Sequence, residues 1–142
     1  MTTTAQDMIE IQTRWAEEVI NQGRLDVLDE ILSPDIVDHD PAPDQKPGPE
    51  GFKGFFATMR SAFPDLQVTG ETMVADGDLL AVAYRMDGTH QGEFLGLAPT
   101  GRKVSFRGLQ IARFAGGKAV ERWGSSDQLG MFQQLGVENL PG

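Results

Sequence analysis

The spacing of apolar residues changes once along this chain, and that change limits the possible fold more than any other feature. Before Pro64-Asp65, apolar side chains recur every three to four residues, which is typical of amphipathic helices. From Leu66 onward they alternate with polar residues, which is typical of half-buried strands. Helices followed by a run of strands predict an α+β fold, with the helices covering one face of a curved, mainly antiparallel sheet. The length of 142 residues predicts a single domain, residues 1–142.

Three helices are predicted before the sheet, over residues 4–21, 25–32 and 51–63. Between the last two lies a short apolar piece followed by a loop, residues 35–49, that is rich in proline and glycine. Its prolines forbid a regular helix and limit any strand to a sheet edge.

Four strands are predicted over residues 66–74, 79–89, 104–114 and 118–125. Asp76-Gly77 and Gly116-Gly117 are typical of hairpin connections. The loop between the middle two strands is longer, and its stretch Glu93-Phe94-Leu95-Gly96 is a candidate lid over a pocket.

The composition excludes several classes of function. Acidic residues outnumber basic ones 21 to 12, which argues against a phosphate-binding surface, so no nucleic acid partner is expected. The chain has no cysteine, which excludes disulfides, thiolate metal sites and a cysteine nucleophile. No apolar stretch reaches the length of a membrane span and no secretory signal is visible, so we expect a cytoplasmic protein without a membrane partner. The two histidines lack metal-ligand spacing, so no metal is expected.

Asp127 is the strongest catalytic candidate, because it follows the last strand and precedes an apolar segment. If that strand is regular, Asp127 shares a face with Trp123 and Ala119. Burial on the inner face of the sheet would raise its pKa toward neutrality and suit it to acid–base catalysis. Alternatively, Asp127 begins a short C-terminal helix by accepting backbone N–H groups. The residues alone leave both interpretations open.

The two histidines are further candidates, because imidazole exchanges protons near neutral pH. His39 follows a short apolar run between Asp38 and Asp40, and its alternative is a solvated loop histidine. His90 has the strand parity of Tyr84, so it lies either at the rim of a cavity or at an exposed hairpin end.

Arg107 and Arg113 favour a structural role. They share strand parity with Leu109 and Ile111, which predicts cross-strand ion pairs on an outer face. Another possible chemistry, epoxide hydrolysis, would need an inward-facing arginine between two carboxylates around a water molecule. The strand parity disfavours Arg107 and Arg113 for that position.

Four motifs, taken together and in this order, resemble the SnoaL-like polyketide cyclase family within the NTF2-like superfamily. They are Val37-Asp38-His39; Phe63-Pro64-Asp65-Leu66; Gly92-Glu93-Phe94-Leu95-Gly96 with Ala98-Pro99-Thr100-Gly101-Arg102; and Glu121-Arg122-Trp123 followed by Asp127 and Gln133-Gln134-Leu135-Gly136. The chain departs from the pattern at Arg122, where family members often carry histidine, so a fixed charge replaces a possible proton carrier.

The resemblance implies a cone-shaped fold around a deep apolar pocket, and an enzyme that closes a ring by intramolecular aldol condensation of a hydrophobic carbonyl ester. It implies no cofactor and Asp127 as general acid and base. In such a reaction we expect His39 or His90 to orient the carbonyl oxygen or to share the proton. It also implies a homodimer or homotetramer formed through the outer face of the sheet. Relatives with this fold include hydroxylases, epoxide hydrolases, isomerases and non-catalytic binding proteins, which remain alternatives. The residues expected to contact the substrate are Trp15, Phe56, Met59, Tyr84, Phe94, Phe106 and Trp123.

Overall fold

The computed structural model describes residues 3–138 and packs helices against a five-stranded sheet, so the predicted α+β cone is confirmed. The helical elements are α1 (Ala5–Arg14), which continues as a π-helical segment (Trp15–Asn21), a 3₁₀ turn (Leu25–Val27), α2 (Leu28–Ile31), α3 (Pro49–Ala62) and α4 (Gln128–Gln134). The strands are β1 (Leu32–Asp38), β2 (Gln67–Asp76), β3 (Leu79–Thr89), β4 (Lys103–Ala115) and β5 (Lys118–Ser126). Within residues 3–138, no helix is long and apolar enough to cross a membrane.

Hydrogen bonds hold both ends of the continuous helix formed by α1 and the π-helical segment. At its start, the Thr4 hydroxyl accepts the Asp7 N–H at 3.1 Å while the Asp7 carboxylate accepts the Thr4 N–H at 2.9 Å, which is a capping box. At its end, the Asn21 amide donates to the Val68 carbonyl and accepts the Val68 N–H. The π-helical segment therefore ends against β2.

The sheet has the order β1-β5-β4-β3-β2, and all neighbouring strands except β1 and β5 are antiparallel. The four strands predicted after residue 65 are all present. Strand β1 was not predicted as such, because it pairs in parallel with β5 at the edge, and no local pattern reveals so distant a partner. Pro34 lies within β1, as an edge position permits.

The two faces of the sheet are clearest in β4. Its even-numbered residues, including Phe106 and Gln110, are buried beneath the helices. Its odd-numbered residues are largely exposed, and Leu109 and Ile111 are 63% and 43% exposed. On this outer face Arg107 bonds to Glu71 at 2.9 Å, in agreement with the predicted cross-strand ion pairs. Arg113 likewise lies on this face.

The predicted faces of β5 are wrong, because the pairing of β4 and β5 contains an irregularity between Arg113 and Phe114. Ala119 pairs with Phe114 on the inner face, but the next pair joins Glu121 to Arg113 on the outer face. An extra residue in one strand reverses the side-chain alternation beyond it. Trp123 therefore faces outward opposite Ile111, and Arg122 faces inward opposite Ala112.

Candidate active site

A cavity of about 1510 Å³ lies between the helices and the inner face of the sheet. Its wall contains apolar side chains of the π-helical segment, α3, β3, β4 and α4. Six of the residues predicted to contact a substrate are in this wall, namely Trp15, Phe56, Met59, Tyr84, Phe94 and Phe106. Trp123 is not, because of the reversed alternation of β5. Contact with a substrate stays a prediction for all of them.

One side of the cavity is polar and is built around Arg122. The guanidinium donates from Nε to Gln110 Oε1 at 3.0 Å and from Nη1 to Asp38 Oδ1 at 3.2 Å. The Gln110 amide in turn donates to Gln12 Oε1 at 3.2 Å. We call these four residues, Arg122, Asp38, Gln110 and Gln12, the polar wall. Because it joins α1, β1, β4 and β5, only the folded chain assembles it.

Asp38 is the carboxylate that the structure places in this wall. Its side chain is 7% exposed, and that of Arg122 is 18% exposed. Besides Arg122, the Asp38 carboxylate accepts the Asp40 N–H and the Gln45 amide, both at 3.0 Å. A buried carboxylate with this many donors is held in one position. Sequence reasoning chose the adjacent residue, His39, instead of Asp38. Because neighbouring residues of a strand point to opposite faces of the sheet, that choice was on the wrong face.

His39 lies on the outer side of the sheet and not among the residues that line the cavity. Its ring stacks on Trp123 with the centroids 4.6 Å apart and the planes 9° from parallel. Its Nε2 lies 2.8 Å from Glu121 Oε2, and the other Glu121 oxygen lies 3.2 Å from Arg113 Nε. The structure therefore does not bring His39 together with the polar wall.

His90 is wholly buried, so neither the cavity rim nor the exposed hairpin end predicted for it is right. Its Nδ1 accepts the Thr100 N–H at 3.2 Å and lies 3.0 Å from the Thr100 hydroxyl. The ring packs against Phe63, with the centroids 5.6 Å apart. Within residues 3–138, Nε2 makes no hydrogen bond, and His90 is not among the residues that line the cavity.

Asp127 caps α4, as the alternative interpretation of the sequence has it. Its Oδ1 accepts the Gly130 N–H at 2.8 Å, and the residue is exposed. Its neighbours Ser126 and Gln128 line the cavity but Asp127 does not, so the predicted inward position beside Trp123 is wrong. A catalytic role for Asp127 stays a prediction.

The loop predicted as a lid contributes to the cavity wall. Phe94 is buried and packs edge-on against Phe63, and its ring also stacks with that of Phe132. Leu95 is exposed and adopts a positive φ of 50°, which is unusual for a branched residue. Both Phe94 and Leu95 line the cavity, so this loop is placed to cover it.

The fold and the cavity define the class of protein: a small α+β cone with an apolar chamber and one polar wall. Residues 10–135 match the family model described as SnoaL-like polyketide cyclase, which is most of the chain. The chain belongs to this family of enzymes.

Curated relatives and solved structures agree with this assignment. The chain is 28% identical over 125 residues to aklanonic acid methyl ester cyclase DauD of Streptomyces sp. (strain C5), which covers 84% of this chain and 76% of that protein. It is 28% identical over 120 residues to the nogalonic acid methyl ester cyclase of Streptomyces nogalater, covering 82% and 88%. TsrD from Streptomyces laurentii superimposes with a TM-score of 0.86 at 26% identity, covering 94% and 97%. Wild-type IdmH from Streptomyces antibioticus superimposes with a TM-score of 0.77 at 35% identity, covering 90% and 97%.

Proposed function

We propose that the chain closes a ring in a hydrophobic polyketide ester by cofactor-free intramolecular aldol condensation, and that the reaction takes place in the cavity. The observation that carries the proposal is the position of Asp38, a carboxylate held in the wall of a largely apolar chamber. Support also comes from the relatives, which are named as methyl ester cyclases of aklanonic and nogalonic acid.

The proposed step needs one group that accepts a proton and returns it. The Asp38 carboxylate takes a proton from a carbon between two carbonyl groups, and the enolate carbon then attacks a ketone of the same molecule. A carbon–carbon bond forms, the ketone oxygen receives the proton, and the product is an isomer of the substrate. General acid–base assistance of this kind is typically worth about 10²–10⁴-fold in rate.

The test compares two carboxylates under identical conditions, with aklanonic acid methyl ester and nogalonic acid methyl ester as substrates and chromatography of the products as readout. Asp38→Asn keeps the shape of the side chain and should lower kcat by about 10²–10⁴-fold. Asp127→Asn is the matched control, because asparagine caps a helix as well as aspartate does, and it should keep turnover near the wild-type rate. Loss of activity in Asp127→Asn together with full activity in Asp38→Asn would return the acid–base role to Asp127.

Epoxide hydrolysis is a second candidate function, favoured by the inward position of Arg122. Its Nη1 lies 3.2 Å from Asp38 Oδ1 and 3.5 Å from the Asp40 carbonyl oxygen, and the Asp40 carboxylate accepts the Gly124 N–H nearby. Activation of a water for epoxide opening needs an arginine between two carboxylates; Asp38 supplies one such pair with Arg122, and Asp40 is the nearest candidate for the second carboxylate. Conversion of styrene oxide to its diol, above the rate in buffer, would identify this activity.

We also propose that two copies of the chain associate through the outer face of the sheet. Leu109 and Ile111 are exposed there, and Val74, in register with Ala81 and Ile111 across the strands, is 60% exposed. Burial of such a row against a second copy would remove apolar surface from water.

A further inference from the structure

Two glycines on the inner face of the sheet leave room for polar side chains of neighbouring positions. A Cβ on Gly108 would overlap the Tyr84 hydroxyl, and a Cβ on Gly124 would overlap Nη2 of Arg122. Tyr84 is paired with Gly108 across β3 and β4, so its side chain lies over its own partner strand. The hydroxyl and the guanidinium therefore occupy the space beside these two glycines, where any larger residue would displace them.

Both groups have hydrogen-bond donors that the protein leaves free. Arg122 uses Nε and Nη1 for Gln110, Asp38 and the Asp40 carbonyl, and its Nη2 makes no hydrogen bond within residues 3–138. The Tyr84 hydroxyl has no hydrogen-bond partner in the same part of the chain, and Tyr84 lines the cavity. Burial raises the pKa of Tyr84, and the nearby charge of Arg122 opposes this only in part. The phenol therefore keeps its proton at neutral pH and is a donor.

The register of the sheet makes the two glycines beneath these donors neighbours on one face. Gly108 pairs with Ser126, and Gly124 pairs with Gln110, so the two glycines are diagonal neighbours on one face. Such positions are separated by about 7–8 Å. Two donors at neighbouring positions on one face can each take one oxygen of a 1,3-dicarbonyl unit, whereas a ligand with a single carbonyl group offers a separate acceptor to only one of them.

We propose that Tyr84 and Arg122 form a two-donor clamp for the paired oxygens of a 1,3-dicarbonyl unit, and that Gly108 and Gly124 determine this specificity. The clamp adds a substrate class to the proposed function. It rests on that function in one respect, that the cavity is where the substrate binds. When a proton leaves the carbon between the two carbonyls, negative charge spreads onto the clamped oxygens, where fixed donors stabilise it.

The charges around the clamp favour a neutral dicarbonyl over a carboxylate. The guanidinium of Arg122 is already paired with the Asp38 carboxylate, and Asp40 is a second acidic residue in the lining of the cavity. An anionic ligand would therefore meet a net negative wall, while a neutral carbonyl oxygen accepts hydrogen bonds without that repulsion.

Binding of two matched ligands tests the clamp without any need for turnover. Benzoylacetone carries two carbonyl groups, and butyrophenone has the same carbon skeleton with one. By titration calorimetry we expect the wild-type chain to bind benzoylacetone about tenfold more tightly, which is the typical effect of one additional hydrogen bond in a cavity. Tyr84→Phe and Gly124→Ala should each reduce this preference to about twofold or less.

Arg122→Lys should also lose the preference, while Arg107→Lys, on the outer face, is its matched control and should retain it. Tyr84→Phe removes a single oxygen and leaves the Asp38–Arg122 pair in place, so its result does not depend on the folding of the arginine variant. Equal affinity of the wild type for the two ligands, no measurable binding of benzoylacetone, or an unchanged preference in Tyr84→Phe would overturn the clamp. A preference for benzoylacetone without cyclisation of the methyl esters would instead keep the clamp and overturn the aldol proposal.

Discussion

Replacing Asp127 separates the two roles that sequence and structure assign to this residue. As an N-cap, its Oδ1 accepts the Gly130 N–H at 2.8 Å and satisfies a backbone donor at the start of α4. As a general acid, its carboxyl group would have to reach the cavity. Asp127→Ala removes both the cap and the carboxyl group, whereas Asp127→Ser removes the carboxyl group and retains a preferred capping side chain.

The expected loss of stability follows from the cap alone. Removing an N-cap side chain costs about 1 kcal/mol, because one donor of the first helical turn loses its partner. For a chain of this length that corresponds to a fall in Tm of about 3 °C. The helix should still dock, because Met131 and Leu135 are buried against the sheet and anchor it from the other side. Asp127→Ser should melt near the wild-type temperature.

Thermal unfolding followed by circular dichroism, together with turnover of the two methyl esters, measures both roles in the same samples. We expect Asp127→Ala to be less stable but active, and Asp127→Ser to match the wild type in both measurements. A wild-type Tm with a loss of turnover of about 100-fold or more in Asp127→Ser would refute the cap-only interpretation. An unchanged Tm in Asp127→Ala would show that the cap contributes nothing measurable.

Two further predictions concern positions outside the cavity. Hydrogen bonds from the Thr89 hydroxyl and then its backbone N–H hold the pKa of Asp65 below its usual value. The ionised carboxylate therefore stabilises the fold above the unfolded pKa of about 3.9, and this contribution is lost as the pH falls through the folded pKa. Asp65→Asn should have a lower Tm than the wild type at pH 7, and the difference in Tm should narrow below about pH 4. A difference in Tm that stays constant with pH would show that the ionised carboxylate is not its cause. Ile111→Lys places a charge on the outer face and should lower the sedimentation mass to that of one chain, and equal masses for variant and wild type would argue against association there.

The fold could be predicted from the sequence because its evidence is local. The helical spacing before Pro64, the alternation after it and the turns at Asp76-Gly77 and Gly116-Gly117 depend on residues close together in the chain. The same holds for the outer position of Arg107, since alternation in β4 is regular around it. Strand β1 escaped prediction because its partner, β5, lies some eighty residues later in the chain.

The site could be predicted only in part. The apolar lining was identified as a set, since large apolar side chains at regular spacing must face the interior of a fold this small. The polar residues were not, because one irregularity in β4 and β5 exchanged the faces of Trp123 and Arg122. Asp38 precedes His39, the residue that sequence reasoning chose. Adjacent residues of a strand lie on opposite faces of the sheet, so an error of one residue selected the outer face instead of the cavity.

The amino-acid sequence by itself determined the family and all the strands except β1, because strand and turn preferences and the four motifs are properties of short segments. Only the tertiary structure decided which polar groups meet in the cavity. Asp38, Arg122, Gln110 and Gln12 come from four elements, and their contacts depend on a parallel edge pairing and on the register of β5. A single-residue offset in register leaves local preferences almost unchanged and reverses every side chain beyond it, so this information exists only once the strands are paired.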